Sequence, residues 1–243
     1  MRRFFIPAGN IEGKLAFIDG SDVRHIASVL RKKSGDILSA TDGAGNLLEC
    51  RISDIEEHVV KLDVIESKPA AERSTRVKLY QAVPRAGKFE TVIEKCTELG
   101  VAELVPLVTE RTVSRITEER GLKKIARWER IALETMKQVG RSVPMSIRPA
   151  TKIENIGGAL EEGSLRLVFW ELEEERTLKA ALAAHPGAKT VECVIGPEGG
   201  LSHSEVETLQ ELGFLPVSLG SRVLKVETAV VAAMANVFYD LEG

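Results

Sequence analysis

Two glycine-containing turns near the end of the sequence have the residue types of a ligand-binding site. The first lies in Val194–Ser202, with the sequence VIGPEGGLS, and the second in Leu219–Ala229, with the sequence LGSRVLKVETA. Each turn joins a short apolar run to a predicted helix. Strand-to-helix turns this close in sequence are expected side by side at the carboxyl edge of a parallel sheet, where α/β folds bind ligands. Glycines there allow a ligand to approach the backbone closely.

The charged residues of the two turns indicate what chemistry they could support. Glu198 in the first turn suits a ligand with a cationic or hydroxyl-bearing part, although it could equally cap the following helix or lie in solvent. In the second turn, Arg222, Lys225, Glu227 and Thr228 could orient an anionic substrate and accept a proton. The alternative is a surface turn with a Lys–Glu pair, which contributes little to stability.

The sequence lacks the patterns of several common sites. No G-x-G-x-x-G follows a predicted strand, and no G-x-x-x-x-G-K-[ST] occurs, so neither a dinucleotide fingerprint nor a P-loop is predicted. The histidines and cysteines have no metal-binding spacing, and no serine lies in G-x-S-x-G. The three cysteines are widely separated and odd in number, which argues against a disulfide framework. We therefore expect no metal and a reducing, cytoplasmic compartment.

The charge distribution points to a polyanionic partner. The chain has 44% hydrophobic and 28% charged residues, which is typical of a globular protein, and no apolar run is long enough to cross a membrane. The net charge is only −3, but in residues 73–152 Lys and Arg outnumber Asp and Glu by 17 to 9. In residues 153–243 the ratio reverses to 6 against 15. A basic segment in an acidic chain allows a nucleic-acid partner, and a solvated basic helix face would give the same pattern.

Residues 1–70 are predicted to form a small β domain. A helix with Ser21 as its N-cap interrupts the strands, and the polar segment Ser67–Thr75 is interpreted as a linker. The predicted strands are short apolar or alternating runs separated by turn signals, namely Arg3–Ile6, Leu15–Ile18, Ile37–Thr41, Leu47–Ile52 and Val59–Ile65.

Residues 76–243 alternate between strand and helix patterns, which predicts an α/β domain with a parallel sheet. The helix Lys88–Leu99 is expected to end at Gly100, and Ser202 with Glu205 predicts a capping box. The other predicted helices cover about Leu122–Val139, Leu178–Ala184, Ser204–Leu212 and Thr228–Tyr239, and the predicted strands are Val77–Val83, Leu104–Val108, Leu165–Trp170, Val191–Ile195 and Leu215–Leu219.

The whole chain resembles one known family. The GPEGGLS turn followed by LGxRVLxxETA is similar to the RsmE family, the 16S ribosomal RNA uridine N3-methyltransferases of the SPOUT superfamily. Further motifs occur in the family's order, namely Arg3-Phe-Phe, His25 with Val29-Leu30-Arg31, Gly35-Asp36, Lys88 with Glu94-Lys95, Glu98-Leu-Gly100, Glu110-Arg111, Trp128, Gln138 and Arg141.

The resemblance implies a fold and a cofactor. The expected fold is a C-terminal SPOUT α/β domain with a parallel sheet and a deep trefoil knot, and an N-terminal β-barrel of the PUA-like, RNA-binding type. The loops of the knot would hold S-adenosylmethionine. Carried onto this sequence, the cofactor-binding residues are Phe169, Trp170, Glu171, Ile195, Gly196, Pro197, Glu198, Gly199, Gly200, Leu219, Gly220, Val223, Leu224, Thr228 and Ala229.

The implied function is methylation of N3 of a specific uridine in 16S ribosomal RNA, within the small ribosomal subunit, by a homodimer. Glu227 is the expected proton acceptor, with Glu198 as the competing candidate, and Arg222 or Lys225 would stabilise the developing negative charge. Arg141 is expected to help from a neighbouring subunit. The candidate RNA-binding residues are Arg2, Arg3, Arg24, Arg31, Arg85, Lys88, Arg111 and Arg141.

Two positions differ from the usual pattern of the family, and three alternatives stay open. Lys225-Val226 occurs where the family usually has Arg-Thr, and Lys137-Gln138 where it usually has Glu-Gln. Lys225 keeps the positive charge but lacks the planar fork of Arg. The alternatives are a SPOUT enzyme for another RNA nucleoside, a catalytically impaired RNA-binding protein, and a small-molecule enzyme on an ordinary open α/β sheet.

Overall fold

The computed structural model describes residues 3–71, 73–85, 87–112 and 118–242, without the side chains of residues 118–122. The chain divides into two compact units. Unit 1 comprises Met1–Glu72 and Glu134–Pro144, and unit 2 comprises Arg73–Leu133 and Met145–Gly243. The division into residues 1–70 and 76–243 stays a prediction, and residues 134–144 are the segment that it did not place with the N-terminal unit.

Unit 1 contains a six-stranded, mostly antiparallel sheet in the order β1-β4-β5-β6-β3-β2. Its apolar residues alternate along the strands and bury one face around Ile6, Ile26 and Leu62. The strands are β1 (Phe4–Phe5), β2 (Ile11–Glu12), β3 (Leu15–Asp19), β4 (Ile37–Thr41), β5 (Asn46–Ile55) and β6 (Val59–Pro69).

Two sequence-based boundaries in unit 1 were wrong. Ser21 is not an N-cap, because helix α1 (Ser21–Arg24) begins after Gly20, whose φ of 65° suits glycine, and continues as a π-helical turn over His25–Val29. The predicted linker began too early, because β6 pairs with β5 as far as Pro69, opposite Asn46. Backbone pairing there does not need apolar side chains, so the polar composition concealed the strand.

The segment Glu134–Pro144 is bonded to the rest of unit 1 through buried charges. The Lys137 ammonium lies 2.8 Å from Asp22 Oδ2 and 3.0 Å from Glu134 Oε1. Burial alone would lower the pKa of Lys137, but the hydrogen bonds that its ammonium donates to Asp22 and Glu134 outweigh this effect and raise the pKa above its usual value. Lys137 is therefore charged, and its two carboxylate partners make its burial tolerable.

Unit 2 is a parallel sheet in the order β10-β8-β7-β12-β11-β13, with β9 also paired with β8. Such a sheet is buried on both faces. The strands are β7 (Arg76–Ala82), β8 (Glu103–Val108), β9 (Ser146–Ile147), β10 (Thr151–Lys152), β11 (Leu165–Phe169), β12 (Thr190–Ile195) and β13 (Leu215–Val217), and the helices of the remaining chain are α2 (Lys88–Leu99), α3 (Glu118–Val139), α4 (Leu178–Ala183), α5 (His203–Glu211) and α6 (Val226–Glu242).

Alternate residues of the central strand β7 belong to two different hydrophobic cores of unit 2. Val77 and Leu79 belong to the larger core, which α2, α4 and α6 cover, whereas Tyr80 and Ala82 belong to the smaller core under α5. The predicted helix Lys88–Leu99 and its left-handed cap at Gly100, with φ of 96°, are confirmed. The capping box of Ser202 and Glu205 is also confirmed. Helix α6 begins at Val226, two residues earlier than predicted.

Buried charges fix the amino ends of the central strands. Lys78 on β7 lies 3.2 Å from Glu103 on β8, whose other carboxylate oxygen accepts a hydrogen bond of 2.9 Å from Arg148. Burial tends to raise the pKa of Glu103, but the bonds from Arg148 and Lys78 outweigh it and keep the pKa below its usual value. On β12, the fully buried Glu192 accepts hydrogen bonds from the Glu161 amide at 2.6 Å and the Tyr80 hydroxyl at 3.2 Å. Charge pairing therefore sets the register at the edge away from the glycine turns.

The buried pair in unit 1 leads to a stability prediction. Asp22→Asn should destabilise the protein by about 3 kcal/mol, because Lys137 would keep its charge and lose its more buried partner. Glu66→Gln is the matched control, since it breaks an exposed pair with Lys68 and should change stability by less than about 1 kcal/mol. Urea unfolding followed by circular dichroism measures both. Equal effects of the two substitutions would contradict the assigned role of Lys137.

Candidate functional site

A cavity of about 750 Å³ lies at the carboxyl ends of β11, β12 and β13. Both glycine turns contribute to its wall, but their strands are not neighbours as the sequence suggested. Strand β11 lies between them, with Phe169 paired with Ile195 on one side and with Val217 on the other. The residues lining the cavity are Lys88, Phe169, Trp170, Glu171, Glu173, Glu174, Thr177, Ile195, Gly196, Pro197, Glu198, Gly200, Ser218, Leu219, Gly220, Ser221, Arg222, Val223, Leu224, Lys225, Val226 and Ala229.

Most of the predicted site residues line this cavity, and three do not. Gly199 and Thr228, which were assigned to the cofactor, and Glu227, the expected proton acceptor, are absent from its wall. Thr228 is exposed on the first turn of α6, and Gly199 packs against the Arg111 side chain. The cavity wall also contains Thr177, Ser218 and the acidic residues Glu173 and Glu174, which were not predicted from the sequence. Only their position just beyond the ends of β11 and β13 could have indicated them.

The first turn needs its glycines for steric reasons. Gly200 has a φ of 71°, and its amide donates a hydrogen bond of 2.9 Å to the Pro197 carbonyl. A Cβ at Gly200 would collide with the Glu171 carboxylate. At Gly196 a Cβ would lie only 3.1 Å from the Leu201 side chain and 3.2 Å from the Gly200 carbonyl carbon. The turn is therefore folded tightly enough for its backbone to form part of the cavity wall.

Gln81 supports the first turn from below and was not found from the sequence. It is fully buried on β7, and its Nε2 donates to the carbonyls of Gly196 at 3.3 Å, Ile195 at 3.4 Å and Ala82 at 2.8 Å. Its Oε1 is buried with no partner among the described residues. An amide side chain in a central strand that is buried on both faces was the available signal, because such a group needs a specific hydrogen-bonding reason to be there.

Glu198 neither caps the following helix nor lies free in solvent. Its carboxylate accepts hydrogen bonds from the Lys88 ammonium at 3.2 Å and from the Arg85 amide at 3.2 Å. Burial would raise its pKa, but the bonds from its own amide, Lys88 and the Arg85 amide together hold the pKa below its usual value. Glu198 is therefore ionised at neutral pH and is a weak base that links the first turn to the start of α2.

The second turn presents two cations to the cavity. Arg222 and Lys225 are both exposed, and neither has an ion pair or side-chain hydrogen bond within the described parts of the chain. Gly220 has a φ of 113°, and its amide donates to Ser218 Oγ at 3.2 Å, which holds the start of the turn. These cations are therefore available to an anionic ligand or to a developing negative charge.

Glu227 and Trp170 both contain a buried polar atom without a partner. Glu227 is half-buried in the first turn of α6, and its Oε2 has no hydrogen bond to any described residue. Trp170 Nε1 is in the same situation, while the indole ring lies edge-on to the His203 ring with 5.0 Å between the centroids. Both residues follow strands that end at the cavity, so the unsatisfied atoms are concentrated at this edge of the sheet.

The candidate RNA-binding residues lie in both units. Arg24 and Arg31 are exposed in unit 1, where Arg3 donates to the Gly140 carbonyl and Arg141 is half-buried. In unit 2, Arg85 is exposed, Lys88 pairs with Glu198, and Arg111 donates to the Gly199 carbonyl. Arg2 lies outside the described residues. Most of these side chains are exposed or half-buried, and their role in RNA binding stays a prediction.

The described residues contain neither a cluster of metal ligands nor a membrane-spanning helix. No group of three or more His, Cys, Asp or Glu side chains could hold a metal ion. No helix in the described ranges is long and apolar enough to span a membrane. The three cysteines, Cys50, Cys96 and Cys193, are buried, and none of them forms a disulfide bond.

Comparison with known families identifies both parts of the chain. The model of an RNA methyltransferase domain matches residues 71–237, and the model of an RNA methyltransferase PUA domain matches residues 18–65. The predicted α/β methyltransferase domain and PUA-like domain are therefore confirmed, while the trefoil knot stays a prediction.

Individual relatives agree over nearly the full length. The ribosomal RNA small subunit methyltransferase E of Bacillus subtilis is 28% identical, with 100% of this chain and 98% of that protein covered. The protein of the same name from Aquifex aeolicus is 30% identical, with 92% and 93% covered.

Two solved structures have the same fold throughout. The methyltransferase E of Neisseria gonorrhoeae, bound to S-adenosyl methionine, has 25% identity and a TM-score of 0.86, with 97% of this chain and 96% of that chain covered. A methyltransferase from Legionella pneumophila, solved with the cofactor SAM, has 28% identity and a TM-score of 0.84, with the same coverage. The chain thus belongs to the RNA methyltransferase family, among the small-subunit ribosomal RNA methyltransferases E.

Proposed function

We propose that this protein transfers a methyl group from S-adenosylmethionine to N3 of a specific uridine in 16S ribosomal RNA. The observation that carries the proposal is the cavity at the carboxyl ends of β11, β12 and β13, walled by two glycine turns in a chain of the methyltransferase E family. We extend the proposal to a role on ribosomal RNA within the small subunit and in the cytoplasm, and membership of this family supports the choice of ribosomal RNA as substrate.

The cavity suits S-adenosylmethionine in size and chemistry. Its volume of about 750 Å³ is in the range of small-molecule sites. Phe169, Ile195 and Leu224 supply apolar surface for the adenine ring, and the backbone of Gly196 and Gly220 supplies hydrogen-bonding groups. The carboxylates of Glu171, Glu173 and Glu174 line the same cavity and complement a cationic ligand. The cofactor, when bound, supplies the electrophilic methyl group.

The substrate nitrogen requires help from the protein. The N3 of uridine is a neutral imide nitrogen, so its proton must leave and negative charge develops on the neighbouring carbonyl oxygens. Arg222 and Lys225 are unpaired within the described chain and face the cavity, where they can stabilise that charge. Holding the uracil ring in line with the methyl group supplies the remaining acceleration through orientation.

We assign the role of acceptor of the N3 proton to Glu227 rather than to Glu198. Glu227 Oε2 lacks a hydrogen bond in the described structure and is therefore free to accept one. Glu227 does not line the cavity, so this role requires a shift of its side chain at the start of α6. Glu198 already accepts hydrogen bonds from Lys88 and the Arg85 amide, and its lowered pKa makes it a poor base. Its role is to hold the first turn in place for the cofactor.

The proposed enzyme is a homodimer formed through unit 2. Tyr239 on α6 is 83% exposed and Val223 in the second turn is 85% exposed, values that are unusual for large apolar residues. Val223 also lines the cavity, so a second copy packed there would complete the cavity wall. The dimer is expected from the family resemblance, and these exposed side chains give it a surface.

The reaction itself can be tested directly. The purified protein should transfer labelled methyl groups to small ribosomal subunits isolated from cells that lack it, and mass spectrometry of the digested RNA should find 3-methyluridine. A methyl group on a different nucleoside would favour the alternative RNA substrate. Absence of S-adenosylmethionine binding in calorimetry would favour an RNA-binding protein that has lost catalysis. Methyl transfer to neither RNA nor subunits, with the cofactor bound, would contradict the proposal.

The two carboxylates should give different kinetic defects. Glu227→Gln should lower kcat at least about a hundredfold and leave the Kd for S-adenosylmethionine unchanged, because it removes only the proton acceptor. Glu198→Gln should instead weaken cofactor binding several-fold, since the amide cannot replace an ionised partner of Lys88.

The pH dependence provides a control for Glu198. Its pKa is below that of the unfolded state, which is about 4.3, so its contribution is complete above that value and is lost only as the pH falls through the lower, folded-state pKa. Cofactor binding by the wild type should therefore not change between pH 6 and about pH 9 on account of Glu198.

If Glu227→Gln kept the full kcat, the assignment of the proton acceptor would be wrong.

The dimer surface is tested by charge insertion. Tyr239→Arg should shift the protein from dimer to monomer in sedimentation velocity, because an unpaired cation would be buried in the interface. Ile65→Arg on unit 1, where Ile65 is 47% exposed, is the control and should leave the dimer intact. A wild-type protein that sediments as a monomer at micromolar concentration would contradict the proposed assembly.

A further inference from the structure

We propose that Val29, Leu30 and Arg31 form a contact tip on unit 1 that binds an unstacked nucleotide of the ribosomal RNA. In this arrangement Arg31 contacts a phosphate group, and the two aliphatic side chains pack against the exposed base or ribose. The inference rests on the proposed function, because it takes RNA as the substrate, and it specifies which surface of unit 1 recognises that RNA and in what form.

The backbone of the tip is unusual. The π-helical turn His25–Val29 ends with the Leu30 amide bonded to the His25 carbonyl at 2.9 Å and the Lys32 amide bonded to the Ile26 carbonyl at 3.0 Å. Arg31 lies between these bonds with a φ of 52°, and it is the only non-glycine residue with a positive φ in the described part of the chain. The chain therefore terminates this helix with a left-handed cap made by arginine.

A left-handed cap is normally a glycine position. Helices that end in this way use glycine because a Cβ is sterically disfavoured there, by roughly tenfold in the equilibrium constant for folding. In the described part of the chain, thirteen glycines with positive φ, such as Gly20 and Gly100, follow the usual preference. Strain retained at one surface residue is a sign that its side chain has a task unrelated to stability.

The side chains of the tip have no task within the described structure. Val29 is 64% exposed and Leu30 is 45% exposed, although both are large and apolar. Arg31 is exposed and makes no hydrogen bond or ion pair with any described residue. The following loop is held firmly, since the Lys33 amide donates to Asp36 at 2.8 Å and the Gly35 amide donates to the Ile52 carbonyl at 2.8 Å. The tip is thus a fixed surface with unused binding capacity.

The chemical groups of the tip indicate what kind of RNA structure it binds. A guanidinium group binds phosphate in a bidentate manner, and exposed Arg24 and Lys33 add positive charge nearby in sequence. Aliphatic side chains contribute binding only where a base or ribose face is accessible, and in a helical duplex the base faces are covered by stacking. Sequence-specific RNA recognition uses loops and bulges for this reason. A phosphate beside an exposed base therefore fits the tip better than a regular duplex does.

Arg31→Gly is the decisive substitution because the two roles of the residue predict opposite effects. It should raise the folding equilibrium constant by about tenfold in urea unfolding, since glycine relieves the strain. It should also raise the KM for small ribosomal subunits by about tenfold, with kcat and the Kd for S-adenosylmethionine unchanged. Val29→Ser combined with Leu30→Ser should raise the same KM without a large change in stability, because both side chains are exposed.

Controls separate this proposal from simpler explanations. Arg51→Ala removes one exposed positive charge from β5 of the same unit and should change the KM less than twofold. Arg31→Lys should keep part of the affinity, because it keeps the charge but not the fork. Binding of each variant to protein-free 16S ribosomal RNA should show the same order as the KM values.

Several results would overturn the proposal. If Arg31→Gly stabilised the protein and left the KM unchanged, the tip would have no role in binding, and if it destabilised the protein, the strain argument would be wrong. If the KM rose for whole subunits while binding to protein-free RNA was unaffected, the tip would contact a ribosomal protein instead of RNA. Failure of the proposed function is distinct, because the wild type itself would then not methylate the subunits.

Discussion

The site depends on one constraint of the sheet, the position of β11 between β12 and β13. Pairing Phe169 with both Ile195 and Val217 makes three strands end at the same level. The two glycine turns therefore face each other across the end of β11 instead of lying side by side, and the space between them becomes the cavity. Gln81 on the next strand fixes the height of the first turn through the Gly196 carbonyl. Without that strand order, the same two turns would be ordinary surface connections.

Local signals in the sequence predicted the elements better than the contacts between them. The end of α2 at Gly100 and the capping box at Ser202 were predictable because each depends on residues a few positions apart. The strand order was not, because it depends on pairing between distant segments. Gln81 and the acidic residues Glu173 and Glu174 were missed for the same reason: their importance arises only from where the fold places them.

The two departures from the family pattern have local physical explanations. Lys137 carries a charge opposite to that of the usual Glu, and it is accommodated by Asp22 and Glu134 at hydrogen-bonding distance. Val226 lacks the hydroxyl of the usual Thr, and it is buried in the larger core at the first turn of α6. Both substitutions thus serve packing or pairing within a unit. Lys225 is different, because it is exposed at the cavity. The exchange of Arg for Lys at this position therefore affects the ligand that binds in the cavity.

The two edges of the parallel sheet differ in whether their buried polar side chains have hydrogen-bond partners. At the edge with the amino ends, Lys78, Glu103 and Glu192 all have partners. Among the described residues, the buried side-chain atoms without a hydrogen bond are Gln81 Oε1, Trp170 Nε1 and Glu227 Oε2, and all three belong to residues beside the glycine turns. Leaving a buried polar atom unpaired is costly, so folding alone would favour their removal. Their concentration at one edge is explained if binding and catalysis, rather than stability, determine the residues there.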